Sequence, residues 1–479
     1  MKIHCHCTHN KAKTTLYAMT MFVMLWSMWY FFYHYSLQWL EGFSFFTTLP
    51  EVMSLSVTLP DDILNYAGAF LLQFYYYPVL GAALQALFAV VIMLCAMAVV
   101  NRLFDNPSHL LWLAALPVPF FVGGQYWDFN LTRSLTWIIS SLAIAVVVYV
   151  LTIKKRGVVH VSSYIANIAV EVAALVAIMG FTVYNLGYKD RGCREYEHIW
   201  KMEHLAETRQ WDALLEIATP EEARMNDLTL HYALLALLEK GCLPETMYLY
   251  DITTANDFWF KEREEPMCRN YNALLFRSLG VTNEVIHNTF QQQLQSEFGV
   301  NFTVLRRLVE TNLEAKNYAL AKKYMHILSH STVMKHWVEE RKPQLEAIRN
   351  AKPKAEPKGE QFRTSDILVV TSEMYNLYPD NRKCADMVLC GLLAEKNFKD
   401  FFFSFKVIAE KQYAHGERIP RYYQEALLLL SVNTPEVLRG YNIDSDVVSD
   451  FQNVKRMAKN GEKERVKSLY PNTFWAYYF

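Results

Sequence analysis

Runs of apolar residues too long for a water-facing helix fill the first 188 positions, and shorter amphipathic runs fill the remainder. A bilayer admits a spanning helix only where about 20 successive residues are mostly apolar. The pattern predicts a first span from about Thr15 to Leu37 and a second from Pro78 to Val100, led in by Phe74, Tyr75, Tyr76 and Tyr77. A fourth is expected from Leu135 to Ile153 and a fifth from Tyr164 to Leu186. The third, Leu110 to Val122, is short and holds Pro117 and Pro119, so it is expected to be kinked or re-entrant. Trp26, Trp29, Tyr30, Phe31, Phe32 and Tyr33 stand where a cleaved signal would need small residues, so the first run reads as a retained span.

Charge follows the same division: the first 188 residues carry 15 of the 95 Asp, Glu, Lys and Arg side chains. Lys2, Lys11 and Lys13 precede the first span, Arg102 follows the second, and Lys154, Lys155 and Arg156 lie between the fourth and fifth. The stretch from Gln38 to Leu59 has Glu41 and Glu51 but no Lys or Arg. Under the positive-inside rule the basic segments are cytoplasmic, and five crossings place everything after Tyr188 outside the cytoplasm. A net charge of -1 argues against a general grip on nucleic acid.

From Cys193 onward the periodicity is helical, in segments of 12 to 16 residues ended by Gly or Asn. Four presumed turns share one phrase: Ala206 to Trp211, Leu238 to Leu243, Ala315 to Tyr318 and Ala394 to Phe398. Trp211 and Leu243 are 32 residues apart, close to the tetratricopeptide period of about 34, and the next two intervals, 75 and 80, are a little over twice that. The clearest helix is Asp227 to Lys240, with Asn226 or Asp227 as cap, Leu230, Ala233, Leu234 and Leu237 on one face, and Gly241 as stop. The stretch Ala351 to Gly359, with two Pro and no anchor larger than Ala, reads as a spacer. Phe474, Trp475, Tyr477, Tyr478 and Phe479 are expected to cap the terminal helix rather than stand in water.

The phrases LEGFSFFTTLP, LLQFYYYPVLGA, HYALLALLEKGCLPETMYLY, RYYQEALLLL and YPNTFWAYYF together cover both halves. In them the chain resembles a family of uncharacterised polytopic inner-membrane proteins of Bacteroides-type bacteria with a tetratricopeptide-like C-terminal domain. The resemblance implies a place in the inner membrane and brings no active site.

Candidate chemistry is sparse. Glu171 falls mid-way along the fifth span with Asn167 one turn before it; an ionisable group there is a functional candidate, or a protonated Glu serving as packing glue. Asp61 and Asp62 stand at the outer end of the second apolar run, where a carboxylate can act as base or hold a divalent ion, although Pro60-Asp61-Asp62 also reads as an ordinary helix start. Asp128 and Arg133 read as a loop salt bridge. The cluster His4-Cys5-His6-Cys7-Thr8-His9 has metal-ligand chemistry, but reads first as a short cytoplasmic tail. Eight scattered cysteines resemble neither a disulfide framework nor a zinc ribbon, and His198, His204, His231, His287, His326, His330, His336 and His415 are dispersed.

The expected fold is therefore all-α: a transmembrane bundle of about five spans, then a soluble tetratricopeptide-like α-solenoid. Its segments are a tail (1–14), the membrane domain (15–188), a first helical block (189–350), a linker (351–361) and a second block (362–479). The expected role is an inner-membrane protein with a periplasmic C-terminal domain that binds a protein or peptide partner, without cofactor, metal or nucleic acid. The alternative is a membrane-embedded enzyme or transporter, such as a lipid-linked-sugar glycosyltransferase, that acts through Asp61, Asp62 and Glu171.

Overall fold

The computed structural model describes residues 2–50, 60–105, 107–154, 157–159, 167–187, 191–261, 265–294, 299–353, 366–413 and 417–479. Among these residues every regular element is helical, apart from one isolated bridge between Phe104 and Val159. Contacts divide the chain into two compact units: Met1–Trp200 with Ser296–Val309 and Ala319–Arg349, and Lys201–Gln295 with Glu310–Tyr318 and Asn350–Phe479.

In the first unit four helices are long and apolar enough to cross a membrane: Ala12–Phe32, Pro78–Leu103, Thr132–Leu151 and Ile168–Gly187. The expected first span is interrupted at Tyr33 (φ -134°, ψ 32°), after which a separate helix, His34–Phe43, begins. Pro78 opens its helix at the first turn, where its missing N–H costs nothing, and the aromatic lead-in winds as a 3-10 turn, Gln73–Tyr76. The segment holding Pro117 and Pro119 splits into a 3-10 turn, Leu111–Ala115, and a short helix, Pro117–Val122.

Contacts at both ends give the helix directions. Lys13 meets Glu171 at one end, and Tyr33 donates to the Leu186 carbonyl at the other (2.6 Å), so the first and last of these helices run parallel. Lys13 also donates to Ser108 O (3.1 Å), just past the end of Pro78–Leu103, while Trp26 donates to Val79 O (3.2 Å) at its start; that helix therefore runs antiparallel to the first. Arg102 lies 4.1 Å over the Tyr149 ring near the end of Thr132–Leu151, and Gln125, shortly before that helix, donates to Gln85 O (2.9 Å), so these two helices run the same way. The stretch from Ser108 to Gln125 thus carries the chain from the Lys13 end to the Tyr33 end. Only 6% of the apolar window in Thr132–Leu151 is buried within the protein, and Ile139, Leu142, Ile144, Val147 and Val150 point outward.

Two segments from the polar half, residues 299–309 and 319–349, pack in this first unit. Phe302 N donates to Ser44 O (3.0 Å), Thr48 N to His330 O (3.0 Å), and Ser331 Oγ and Val333 N to Gln73 Oε1 (3.1 and 3.2 Å). Arg306 grips both oxygens of Glu41 (3.0 and 2.9 Å), whose residue is 1% exposed.

From Arg191 onward helices recur in pairs joined by one repeated turn, and all but the pair joined at Lys316, which lies largely in the first unit, contribute to the second. Arg209, Gly241, Gly280, Lys316, Lys396 and Gly461 all take left-handed backbone, with φ of 57°, 67°, 80°, 57°, 52° and 79°. At each, the left-handed residue donates three residues back and its successor five residues back, as in Gln210 N to Leu205 O and Cys242 N to Leu237 O (both 2.8 Å). This is the Schellman closure of a helix C-terminus. The next helix begins two residues after the left-handed one, at Trp211, Leu243, Thr282, Tyr318, Phe398 and Lys463.

Asp227–Glu239 departs from the expected one-sided helix. Asn226 caps it through Leu228 N (2.9 Å), but residues 231–238 are all buried, including the face opposite Leu234. It is a central helix of its unit, apolar on every side because neighbours cover every side.

The terminal aromatics close this unit. Trp475 packs with Val447, Phe451, Val454, Met457 and Val466, and Phe474 is equally buried. Residues 354–361 of the expected linker lie outside the described residues.

Candidate functional site

Glu171 is the focus of one polar constellation in the apolar unit. The helix that carries it begins at Ile168, after Asn167, whose side chain caps Ala169 N (3.1 Å). Glu171 therefore stands in the first turn, one helical end away from the mid-span depth expected from sequence. It is 1% exposed. Lys13 Nζ lies 2.9 and 3.1 Å from its two oxygens, the Tyr17 hydroxyl donates to Oε1, and His109 Nδ1 stands 3.5 Å from Oε2.

Each partner is delivered by a different local rule. Lys13 and Tyr17 are four residues apart on one helix and so share a face. His109 comes from the 3-10 turn Pro107–His109. Ammonium, phenol and imidazole converge on one carboxylate and give it the polar partners that such a group at the end of an apolar helix requires. Both oxygens are occupied, so a cation or substrate polar group reaches this carboxylate only by displacing Lys13 or Tyr17.

The other sequence candidates fall elsewhere. The helix Pro60–Leu72 does start at Pro60, as a helix-start reading of Pro60-Asp61-Asp62 requires. Asp62 is half-buried and already engaged within the protein; the Asp61 side chain lies outside the described residues. The expected Asp128–Arg133 salt bridge is not formed. Asp128 instead accepts from the backbone N–H groups of Arg133 (3.1 Å) and Ser134 (2.6 Å), neutralising the positive end of the Thr132–Leu151 helix. The Arg133 guanidinium donates to Phe121 O (3.0 Å) and Phe120 O (3.2 Å), two carbonyls in the last turn of Pro117–Val122, of which Phe121 O also accepts from Gly124 N (3.3 Å). The side chains from His4 to His9 lie outside the described residues, and among the described ones no group of three or more His, Cys, Asp or Glu could hold a metal.

The second unit contains an open polar groove of about 640 Å³, lined by Ala255, Asn256, Lys261, Asp366, Leu368, Glu395 and Asn397. Its rim is held by capping: Asp366 accepts from Leu368 N (2.9 Å), Asn397 from Asp400 N (3.2 Å), and Glu395 Oε1 from Ala255 N (2.9 Å). In the same unit, buried Asp386 accepts from the Tyr423 hydroxyl (2.9 Å), which also lies 3.5 Å from Cys390 Sγ. Burial pushes the Asp386 carboxyl up to about 6 and the Cys384 thiol up to about 12. Glu425, fully buried, is likewise pushed by burial up to about 7, although Arg421 (2.8 Å) and Phe474 N (2.7 Å) both favour its charged form.

The model of a family of unknown function, DUF6057, matches residues 8–189 and 135–479. The chain belongs to DUF6057. No curated protein and no solved structure matches it.

In this DUF6057 chain, sequence reasoning singled out Glu171 but not its three partners. The four-residue spacing of Lys13 and Tyr17 is a usable signal, beyond the orientation that the Lys13 charge sets. No sequence signal pointed to Glu41 and Arg306, which lie 265 residues apart. The carboxylates of the second unit, Asp386 and Glu425, sat inside apolar runs and gave no motif.

Proposed function

We propose that this chain is an inner-membrane protein of the bacterial envelope that crosses the bilayer five times and binds a protein or peptide partner on a periplasmic, tetratricopeptide-like second unit. The repeated helix joint carries the reading. Five of the six closures of one geometry join helices of that unit, the Lys316 pair lying largely in the first, and arrays of such hairpins offer extended binding surfaces without chemistry. The groove at Asn256, Lys261, Asp366 and Glu395 has room and paired charge for a short extended segment of a partner.

The crossing number is supported by helix direction. Four long helices run up, down, down and up, and the Leu111–Val122 stretch joins the two downward ones from end to end. Gly157 N donates to Arg102 O (3.2 Å) at the Lys13 end, in keeping with basic segments on one cytoplasmic side.

A photo-crosslinking residue at Asn256 tests the partner directly. The reading expects a discrete crosslinked species in native membranes that is absent when the probe is at exposed Met225 and weakened by Lys261→Glu. No species from Asn256, or the same species from both positions, overturns it. The enzyme or transporter alternative draws on the Glu171 constellation; it is favoured instead if Asp61→Ala, Asp62→Ala or Glu171→Ala abolishes the cellular phenotype while the crosslink persists.

A further inference from the structure

His326 and His330 stand four residues apart at the end of the Tyr318–Ser329 helix, with ring centroids 4.9 Å apart and planes at 84°. Two histidines at this spacing on one helical face are a known way to chelate a metal ion. With metal–nitrogen bonds of about 2.0 Å and a tetrahedral angle, two imidazoles sharing an ion have centroids about 5 Å apart. The rings already sit at that separation.

The pair is also accessible and held in place. His326 is exposed and His330 half-exposed, and among the described residues their hydrogen bonds are made by backbone atoms, leaving neither imidazole with a hydrogen-bond or ion-pair partner. Thr48 donates both its backbone N–H and its hydroxyl to His330 O (each 3.0 Å), which fixes the backbone where the helix has ended. Lys322, one turn before His326, already has a partner in the protein.

We propose that His326 and His330 form a two-histidine chelate for a divalent transition-metal ion of the zinc and copper class. Imidazole suits these ions, and two protein ligands leave the remaining positions to water or to a donor from another molecule. Such a site ties the last turn of this helix to the residue that follows it, whose carbonyl Thr48 holds.

Zinc titration of the full chain in detergent micelles, followed calorimetrically, tests this. The chain carries H4A, C5S, H6A, C7S and H9A so that the N-terminal cluster cannot contribute. The expected result is saturable binding of a single ion per chain, weakened at least about tenfold by His326→Ala and by His330→Ala and unchanged by His336→Ala. Absence of saturable binding up to roughly 1 mM zinc, or retention of affinity within about twofold in both variants, overturns the proposal.

Discussion

Lys13 and Glu171, 158 residues apart in sequence, form a 2.9 Å ion pair with the carboxylate almost wholly buried. Removing one partner leaves the other charge uncompensated, at a cost of about 3–5 kcal/mol, whereas replacing both with apolar residues is often close to neutral. Lys13→Met and Glu171→Met should each lower the thermal midpoint in micelles, and the double variant should recover most of the loss. A double variant as unstable as the two losses added together would show that the pair is not coupled.

The repeated joints make a second, independent prediction. Arg209, Lys316 and Lys396 hold left-handed backbone that side chains with a Cβ adopt at a cost of about 1–2 kcal/mol. Lys316→Gly and Lys396→Gly should therefore raise stability by up to about 1 kcal/mol each, while Gly280→Ala should lower it by a similar amount. Denaturant midpoints measure the changes. Destabilisation by both Gly variants would contradict the assignment of these positions as helix closures.

Four of the six joints were visible in sequence because each pairs a turn-former with a large apolar residue opening the next helix. The other two, at Gly280 and Gly461, were missed because Thr282 and Lys463 supply no such anchor. With Gly280 included, the 75-residue interval divides into 39 and 36. Helix type and the long apolar segments were legible because period and length report them directly. The packing of residues 319–349 with the apolar unit was not, since the ties are single polar contacts such as Gln73 with Ser331. The depth of Glu171 was misjudged for a simpler reason: apolar residues 164–166 extend the hydropathic run beyond the described helix start at Ile168.

Asp386 sets a pH dependence of known sign. Its carboxyl titrates near 6 in the folded protein against 3.8 as the ordinary value, so the folded state holds the proton more tightly. The resulting stabilisation is complete below about pH 4 and is lost as pH rises through 6. Asp386→Asn should flatten the stability profile between pH 4 and 7 relative to the parent, removing a difference on the order of 2–3 kcal/mol. Parallel profiles for parent and variant would show that Asp386 does not titrate in this window.

The terminal segment is predicted to be part of the core of its unit. Trp475 has no exposed surface, and its indole N–H donates to Glu425 O (3.0 Å), while the Glu425 carboxylate accepts from Phe474 N. Trp475→Ala should cost about 3–5 kcal/mol, and Tyr478→Ala, at a position 38% exposed, well under half of that. Urea unfolding distinguishes them; equal effects would mean that the segment is not docked as described.

Reporter fusions address the five-crossing arrangement most directly. A phosphatase active only outside the cytoplasm and a fluorescent protein active only inside it are fused after Asp190, and separately within residues 160–166. Five crossings predict phosphatase activity without fluorescence after Asp190, and fluorescence without phosphatase activity at residues 160–166. Fluorescence after Asp190 would contradict both the crossing number and the periplasmic placement of the second unit.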